Sequence, residues 1–292
     1  ETYPIVPGHE IVGEVVQVGS GVTRFKVGDI AGVGCMVNAC RHCEYCENDQ
    51  EQYCMEGRVL TYSDKDLYHD NEITRGGYST NMVVDESFAI RVPKDAPLEK
   101  VGPLMCAGIT TWSPIMQCGI KAGDKVGVAG FGGLGHMAVQ YLVSLGAEVT
   151  VSDITEEKRA DALRLGAKRY VNVTREEEMQ GLDNTLRFIL STIPASYDPM
   201  IYINILKVGG TLAVVGMPAV KDAPQINITA LQNRYLTTSI IGGIKETQEV
   251  VDYSVAHGIY PETVVIPADA SAIDKAYRDV VDGKVKLRYV ID

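Results

Sequence analysis

The chain has 292 residues, 46% of them hydrophobic, enough to bury a sizeable core in one large or two ordinary domains. Its formal net charge of -11 comes with no basic patch, which argues against a nucleic-acid partner, because phosphate binding relies on clustered Lys and Arg. The richest apolar stretch, 208–220, is broken by Gly209, Gly210, Gly216 and Pro218, so it predicts a buried strand ending in a turn and not a membrane span.

The first chemical signal along the chain is the spacing C-x2-C-x2-C-x7-C formed by Cys40, Cys43, Cys46 and Cys54. Four thiolates saturate a tetrahedral Zn2+ and leave no position for substrate, so the pattern predicts a structural metal. Paired disulfides are the competing reading. The length of the chain, the lack of a visible signal peptide, and Cys106 and Cys118 in apolar segments oppose it. An iron–sulfur cluster usually shows a tighter run followed by proline. Cys35, five residues upstream, reads as a buried small hydrophobe and not as a fifth ligand. Reduced cysteines, no targeting signal and an acidic surface together predict the cytoplasm.

From Lys125 onward a strand, a glycine turn, a helix, a second strand and a second helix follow in order. Val126, Val128 and Ala129 form the first strand, and Met137 to Leu145 continues at helical spacing. Between them Gly130, Gly132 and Gly135 fit G-x-G-x-x-G, with Gly133 and Leu134 completing the turn. The first glycine permits the turn, the second lets backbone reach a pyrophosphate, and the third lets helix and strand pack closely at the helix N-terminus. Asp153, eighteen residues after Gly135, closes the strand that begins at Val149. Its carboxylate suits an adenosine ribose and repels a 2′-phosphate, which favours NAD. Lys158 and Arg159 are the counter-signal for NADP, or else a solvated face paired with Glu156, Glu157 and Asp161. Further strands are predicted at 186–193, 211–215 and 239–241, completing a doubly wound parallel sheet over 108–244.

The segments PGHEIVGEVVQVGSGVTRFKVGD, the four-cysteine loop, GGYS, MCAGITT, AGFGGLGHMAVQ and IGGIKET occur in one order. In this the chain resembles zinc-dependent medium-chain alcohol dehydrogenases, and within them the cinnamyl-alcohol-dehydrogenase-like branch. The resemblance implies a GroES-like β-barrel substrate domain from 1–107 and 245–292, with the Rossmann domain inserted between. It implies a catalytic zinc on His9 and Cys106, with the adjacent Glu10 able to approach the metal, beside the structural zinc of Cys40, Cys43, Cys46 and Cys54. The implied chemistry is hydride transfer between nicotinamide and a primary alcohol or its aldehyde, aromatic and allylic ones included, with zinc as Lewis acid. Thr110, Val215, Gly216, Ser239, Ile240 and Gly242 are the implied cofactor contacts outside the glycine turn, and either Lys286 or Arg288 is implied to touch phosphate. Members dimerise through edge strands, here around Ile226 to Ile241.

The family's segment before PGHE, with its first catalytic cysteine, has no counterpart in this sequence. That predicts a fragment with impaired catalysis. A non-catalytic nucleotide-binding protein with structural zinc, and a zinc-free quinone oxidoreductase of the same fold, are the rival readings.

Overall fold

The computed structural model describes residues 3–218, 226–282 and 288–292. Within it the chain divides into two units, Glu1–Ile109 with Ile241–Asp292, and Thr110–Ile240. The first unit opens with short β-branched strands. β1 (Ile11–Glu14), β2 (Ile30–Val33) and β5 (Ala89–Val92) form an antiparallel sheet in the order β1-β2-β5, and β3 (Met36–Asn38) pairs antiparallel with β4 (Val59–Leu60). The four-cysteine loop lies between β3 and β4 and carries a one-turn helix, α1 (Glu44–Glu47), and a 3-10 turn, Glu51–Tyr53. So short a helix has little stability of its own in water. Helix α2 (Leu98–Val101) leads through a 3-10 turn, Gly102–Met105, into α3 (Ala107–Gln117).

The second unit is the doubly wound sheet expected from the sequence. Strands β6 (Lys125–Ala129), β7 (Glu148–Asp153), β8 (Arg169–Asn172), β9 (Leu186–Ser191), β10 (Leu206–Val214) and β11 (Tyr235–Thr238) stand in the order β11-β10-β9-β6-β7-β8, with every pairing parallel. Strands covered on both faces read as apolar runs. Accordingly Val126, Val128, Val149, Val151, Phe188 and Leu190 are fully buried. Helix α4 (Gly135–Ser144) buries Met137, Ala138, Val139, Tyr141 and Leu142, and α5 (Arg159–Arg164), α6 (Glu176–Met179) and α7 (Met200–Ile205) follow. Trp112, read as a packing residue, lies edge-to-face on Tyr141 at 5.3 Å.

Three sequence expectations shift here. The strand placed at 239–241 is absent: β11 ends at Thr238, and Ile241 adopts a left-handed φ of 42° that an extended strand cannot accommodate. The strand placed at 211–215 begins earlier, at Leu206, but its register to β9 breaks between Leu206 and Thr211, where Gly209 has a φ of 79°. Val208 is therefore exposed and not part of a buried run, while 219–220 lie outside the described residues. Strand β8 was not anticipated.

The chain then returns to the first unit with α8 (Ile244–His257), β12 (Thr263–Ile266), α9 (Ala270–Val281) and β13 (Arg288–Ile291), β12 and β13 being parallel partners. Helix α8 buries Ile244, Val250 and Val251 and ends on Gly258 in the left-handed conformation. Its Gln248 amide covers the free edge of β5, donating to the Arg91 carbonyl at 3.0 Å and accepting the Arg91 N–H at 2.8 Å.

Candidate active site and metal centres

In the four-cysteine loop the sulfurs of Cys40, Cys43, Cys46 and Cys54 all lie within 4.8 Å of one another. Cys40 and Cys46 are 3.8 Å apart, close to the edge of a tetrahedron with Zn–S bonds of about 2.3 Å. Backbone N–H groups aim at these sulfurs: Cys43 donates to Cys40 at 3.3 Å, and Met55 donates to Cys43 at 3.5 Å. The N–H groups of Cys46 and Met55 hold the Cys43 thiol down at about 6, whereas burial pushes Cys40 and Cys46 up. Four sulfurs this close can all be thiolates only with a cation among them, so the donor set fits zinc and leaves no open position. Cys35 is not part of this group.

A second group lies in the same unit. His9 Nε2 is 3.2 Å from Cys106 Sγ, and Cys35 joins them with all three ligand atoms within 4.8 Å of one another. Local packing explains the convergence. His9 follows the PGHE turn, which the GGYS segment clasps through Gly76 N–H to Val6 O at 2.7 Å, Gly77 N–H to Gly8 O at 3.0 Å and Tyr78 N–H to Pro7 O at 2.9 Å. Tyr62 stacks near the imidazole, ring centroids 5.9 Å apart. Cys106 follows the 3-10 turn, and the backbone just before Cys35 presses against it. A Cβ on Gly34 would stand 2.8 Å from the Met105 carbonyl oxygen, so only glycine permits that approach. The Cys106 thiol is held well below its ordinary value, first by a hydrogen bond from Cys35 and then, against the cost of burial, by His9. His9 is raised, first by the same contact with Cys106.

Glu10 does not join this group. Arg288 Nη1 donates to both of its carboxylate oxygens, at 2.7 and 2.9 Å. Burial raises the Glu10 carboxyl to about 7 even with Arg288 opposing. Arg288, one of the two basic residues expected to touch phosphate, thus pairs with a carboxylate, and Lys286 lies outside the described residues. Cys35, read from the sequence as a buried small hydrophobe, is only partly buried and lies beside His9 and Cys106.

In the second unit, Gly130, Gly132, Gly133, Leu134 and Gly135 form the turn from β6 into α4, at the point where strand order reverses between β6 and β9. In open α/β sheets ligands bind at this point, beyond the carboxyl ends of the strands. Gly130 has a φ of 85°, a Cβ on Gly135 would overlap the Gly130 carbonyl, and a Cβ on Gly132 would meet nothing within 4 Å. The space over Gly132 thus fits a pyrophosphate. Val215 and Gly216 follow β10, both donating to the Ser191 carbonyl, and Ser239 follows β11, its N–H donating to Val214 O. These residues gather at one end of the sheet. Thr110 is buried within α3, Ile240 is partly exposed, and Gly242 belongs to the first unit. Thr192 was not anticipated: its hydroxyl donates to the Gly130 carbonyl at 2.9 Å and steadies the turn.

Asp153 is buried at the end of β7 and already has partners. The Phe131 N–H donates to Oδ2 at 2.8 Å, Lys158 Nζ lies 3.0 Å from the same oxygen, and the Ile154 N–H donates to Oδ1 at 2.8 Å. Burial pushes its carboxyl up, but the Phe131 N–H and Lys158 outweigh that and leave it below the usual range. Asp153 therefore ties the glycine turn to β7, and Lys158 offsets its charge.

The chain is similar to known alcohol dehydrogenases in sequence and in fold. Residues 1–94 match the alcohol dehydrogenase GroES-like domain, and residues 133–256 match the zinc-binding dehydrogenase domain. An NADP-dependent alcohol dehydrogenase C of Mycolicibacterium smegmatis is 44% identical over 99% of this chain and 82% of its own length. Cinnamyl alcohol dehydrogenase 2 of Rauvolfia serpentina is also 44% identical, over 99% of this chain and 80% of its own. Among solved structures, CAD from Helicobacter pylori complexed with NADP(H) superposes with a TM-score of 0.92 at 50% identity, covering 100% of this chain and 82% of that one.

Proposed function

Because the chain belongs to the zinc-dependent medium-chain alcohol dehydrogenases, in their cinnamyl-alcohol-dehydrogenase-like branch, we propose that it moves a hydride between a primary aromatic or allylic alcohol, or its aldehyde, and NADP(H). The observation that carries this reading is the contact of His9 with Cys106, 97 residues apart in sequence, in a chain whose other unit bears a glycine turn at its switch point. A zinc ion held there supplies a Lewis acid that makes an alcohol hydroxyl more acidic or an aldehyde carbonyl more electrophilic. His9 and Cys106 hold the ion, and the Glu10–Arg288 pair braces the segment that carries His9. Cys40, Cys43, Cys46 and Cys54 hold a second, structural zinc that orders their loop.

In the second unit, the backbone from Gly130 to Gly135 receives the pyrophosphate at the N-terminus of α4. The choice of NADP(H) over NAD(H) departs from the sequence expectation, which took Asp153 as a ribose acceptor that repels a 2′-phosphate. It is supported by Lys158 beside Asp153 and by the cofactor named for the Mycolicibacterium and Helicobacter relatives. Titration with NADPH and NADH tests it, and equal or tighter NADH binding would refute it.

Two further elements complete the proposal. All four residues of the edge strand β11 are exposed, which supports pairing with a second copy along that edge. The seven free cysteines are in keeping with a reducing compartment, and the cytoplasm is the proposed location. The decisive experiment is NADP+ reduction with cinnamyl or benzyl alcohol by the zinc-loaded chain, alongside a zinc count. Two zincs per chain with alcohol-dependent turnover support a dehydrogenase. One zinc and no turnover favour the non-catalytic reading.

A further inference from the structure

We infer that the four-cysteine loop clamps the N-terminus of α8, with Glu51 as the positioning residue, so that metal loading of the loop and order in the turn at 241–243 are linked. The inference rests on the structural-zinc and cofactor readings above. It gives a task to the seven residues between Cys46 and Cys54, which contribute no thiol.

Two residues of that span make the contact. The Ile244 N–H, the first of α8, donates to Glu51 Oε2 at 3.0 Å, and Lys245 Nζ pairs with Asp49 Oδ2 at 2.9 Å. The first N–H groups of a helix have no partner within it, and a carboxylate placed there also faces the positive end of the helix dipole. Gly243, the N-cap, has no side chain to serve as acceptor. A Cβ on it would overlap the Asp49 carbonyl oxygen and stand 2.8 Å from Glu51 Oε2, so the glycine is what lets the loop come this close. The Lys245–Asp49 pair is exposed on both sides and contributes little, which leaves the half-buried Glu51 to carry the contact.

Backbone joins each of these residues to a metal ligand. The Asp49 N–H donates to the Cys46 carbonyl at 3.3 Å, and the Cys54 N–H donates to the Glu51 carbonyl at 3.0 Å. Drawing Cys46 and Cys54 onto one ion therefore fixes the span that presents Glu51. On the other side of the contact, Ile241 is a β-branched residue at a left-handed φ of 42°. Such a conformation persists only where its surroundings over-determine it. Here the Glu51 contact holds the residues after it, and Gly242 lies so close to Ile109 that a Cβ would stand 2.5 Å from Cδ1. Gly242 is one of the cofactor contacts implied by the resemblance, so Glu51 acts on cofactor binding through this turn and not by touching the cofactor.

The test compares wild type, E51A and E51Q as full, zinc-loaded chains, by amide exchange at Ile244 and Thr247 and by NADPH titration. E51A should keep the wild-type zinc count, exchange about fivefold faster at both amides and bind NADPH about fivefold more weakly, the loss expected for one cap. E51Q retains an acceptor oxygen and should restore most of both effects, which a general loosening of the fold would not allow. C46S, which opens the thiolate shell, should speed the same amides although Glu51 is present, and adding E51A to it should change Ile244 no further. If C46S fails to fold, E51A and E51Q decide alone.

Ile244 exchange at the wild-type rate in E51A overturns the clamp. Faster exchange in E51A with unchanged NADPH affinity overturns the positioning of Gly242. C46S that loses one zinc while Ile244 stays protected overturns the linkage alone, whereas C46S that loses no zinc sinks the structural-zinc reading and the linkage with it. Wild type that binds no NADPH overturns the cofactor reading and the positioning of Gly242, and the amides still decide the clamp.

Discussion

Replacing Gly135 and Gly132 separately by alanine tests whether the turn after β6 is a dinucleotide cradle, because the two methyl groups meet different surroundings. At Gly135 the new Cβ would overlap the Gly130 carbonyl oxygen and stand 3.0 Å from its carbon and 3.3 Å from Thr192 Oγ1. Two of those atoms are backbone and cannot rotate away, so the first turn of α4 has to withdraw by roughly 1 Å to restore ordinary contact. Overpacking of this kind costs about 1–3 kcal/mol of stability. The withdrawal also misaligns N–H groups meant for a charged phosphate, and one such bond is worth about 1.5–3 kcal/mol, or about 10- to 100-fold in affinity. At Gly132 the Cβ meets nothing within 4 Å and the backbone is not left-handed. There alanine should leave stability unchanged or raise it by about 0.4–1 kcal/mol, through the unfolded chain. The same methyl stands where the pyrophosphate approaches, so G132A should still bind NADPH at least about tenfold more weakly. Urea midpoints and NADPH fluorescence titrations separate the two effects. Wild-type NADPH affinity in G132A, or a destabilised G132A, would refute the assignment of that space.

Three other outcomes follow from the site geometry. C46S opens the four-thiolate shell and should lower the zinc count by one, with new protease cleavage inside 40–54, since that loop has only short helical turns to hold it; an unchanged count and digestion pattern would contradict a structural zinc. R288M leaves Glu10 unpartnered: breaking a fully buried pair costs about 3–5 kcal/mol, and because each side chain keeps 23% exposure about 2–3 is expected by urea unfolding at pH 8, with part restored by E10Q in the same chain. Glu178 accepts the Asn172 N–H at 2.8 Å and pairs with Arg159 and Arg175, which lowers its carboxyl from 4.5 to about 2. A depressed carboxylate pKa contributes stability above the unfolded value and loses it as pH falls through the folded one, so the wild-type advantage over E178Q should hold above pH 4.5 and vanish near pH 2; an advantage that grows on acidification would reverse the sign.

Much of this protein was legible because its chemistry is local. Cys40 to Cys54 span fifteen residues and Gly130 to Gly135 six, so spacing alone conveys a closed metal shell and a phosphate turn. The apolar runs of β6, β7 and β9 likewise announce strands buried on both faces. Residue type and spacing carry no information about which distant segments meet, or about which partners a side chain has already taken. Cys35 read as a core thiol until the approach of Gly34 to Met105 set it beside His9 and Cys106. Glu10 read as a metal neighbour until β13 brought Arg288, 278 residues away, onto both its oxygens. Asp153 read as a ribose acceptor, and only the fold shows that Phe131 and Lys158 already contact its carboxylate. The sequence by itself determined the family, the doubly wound order of elements and the two local motifs. Only the tertiary structure decided which distant side chains meet around His9 and Cys106 and the state of the carboxylates, because each of these depends on long-range packing that sets distance, burial and prior hydrogen-bond partners.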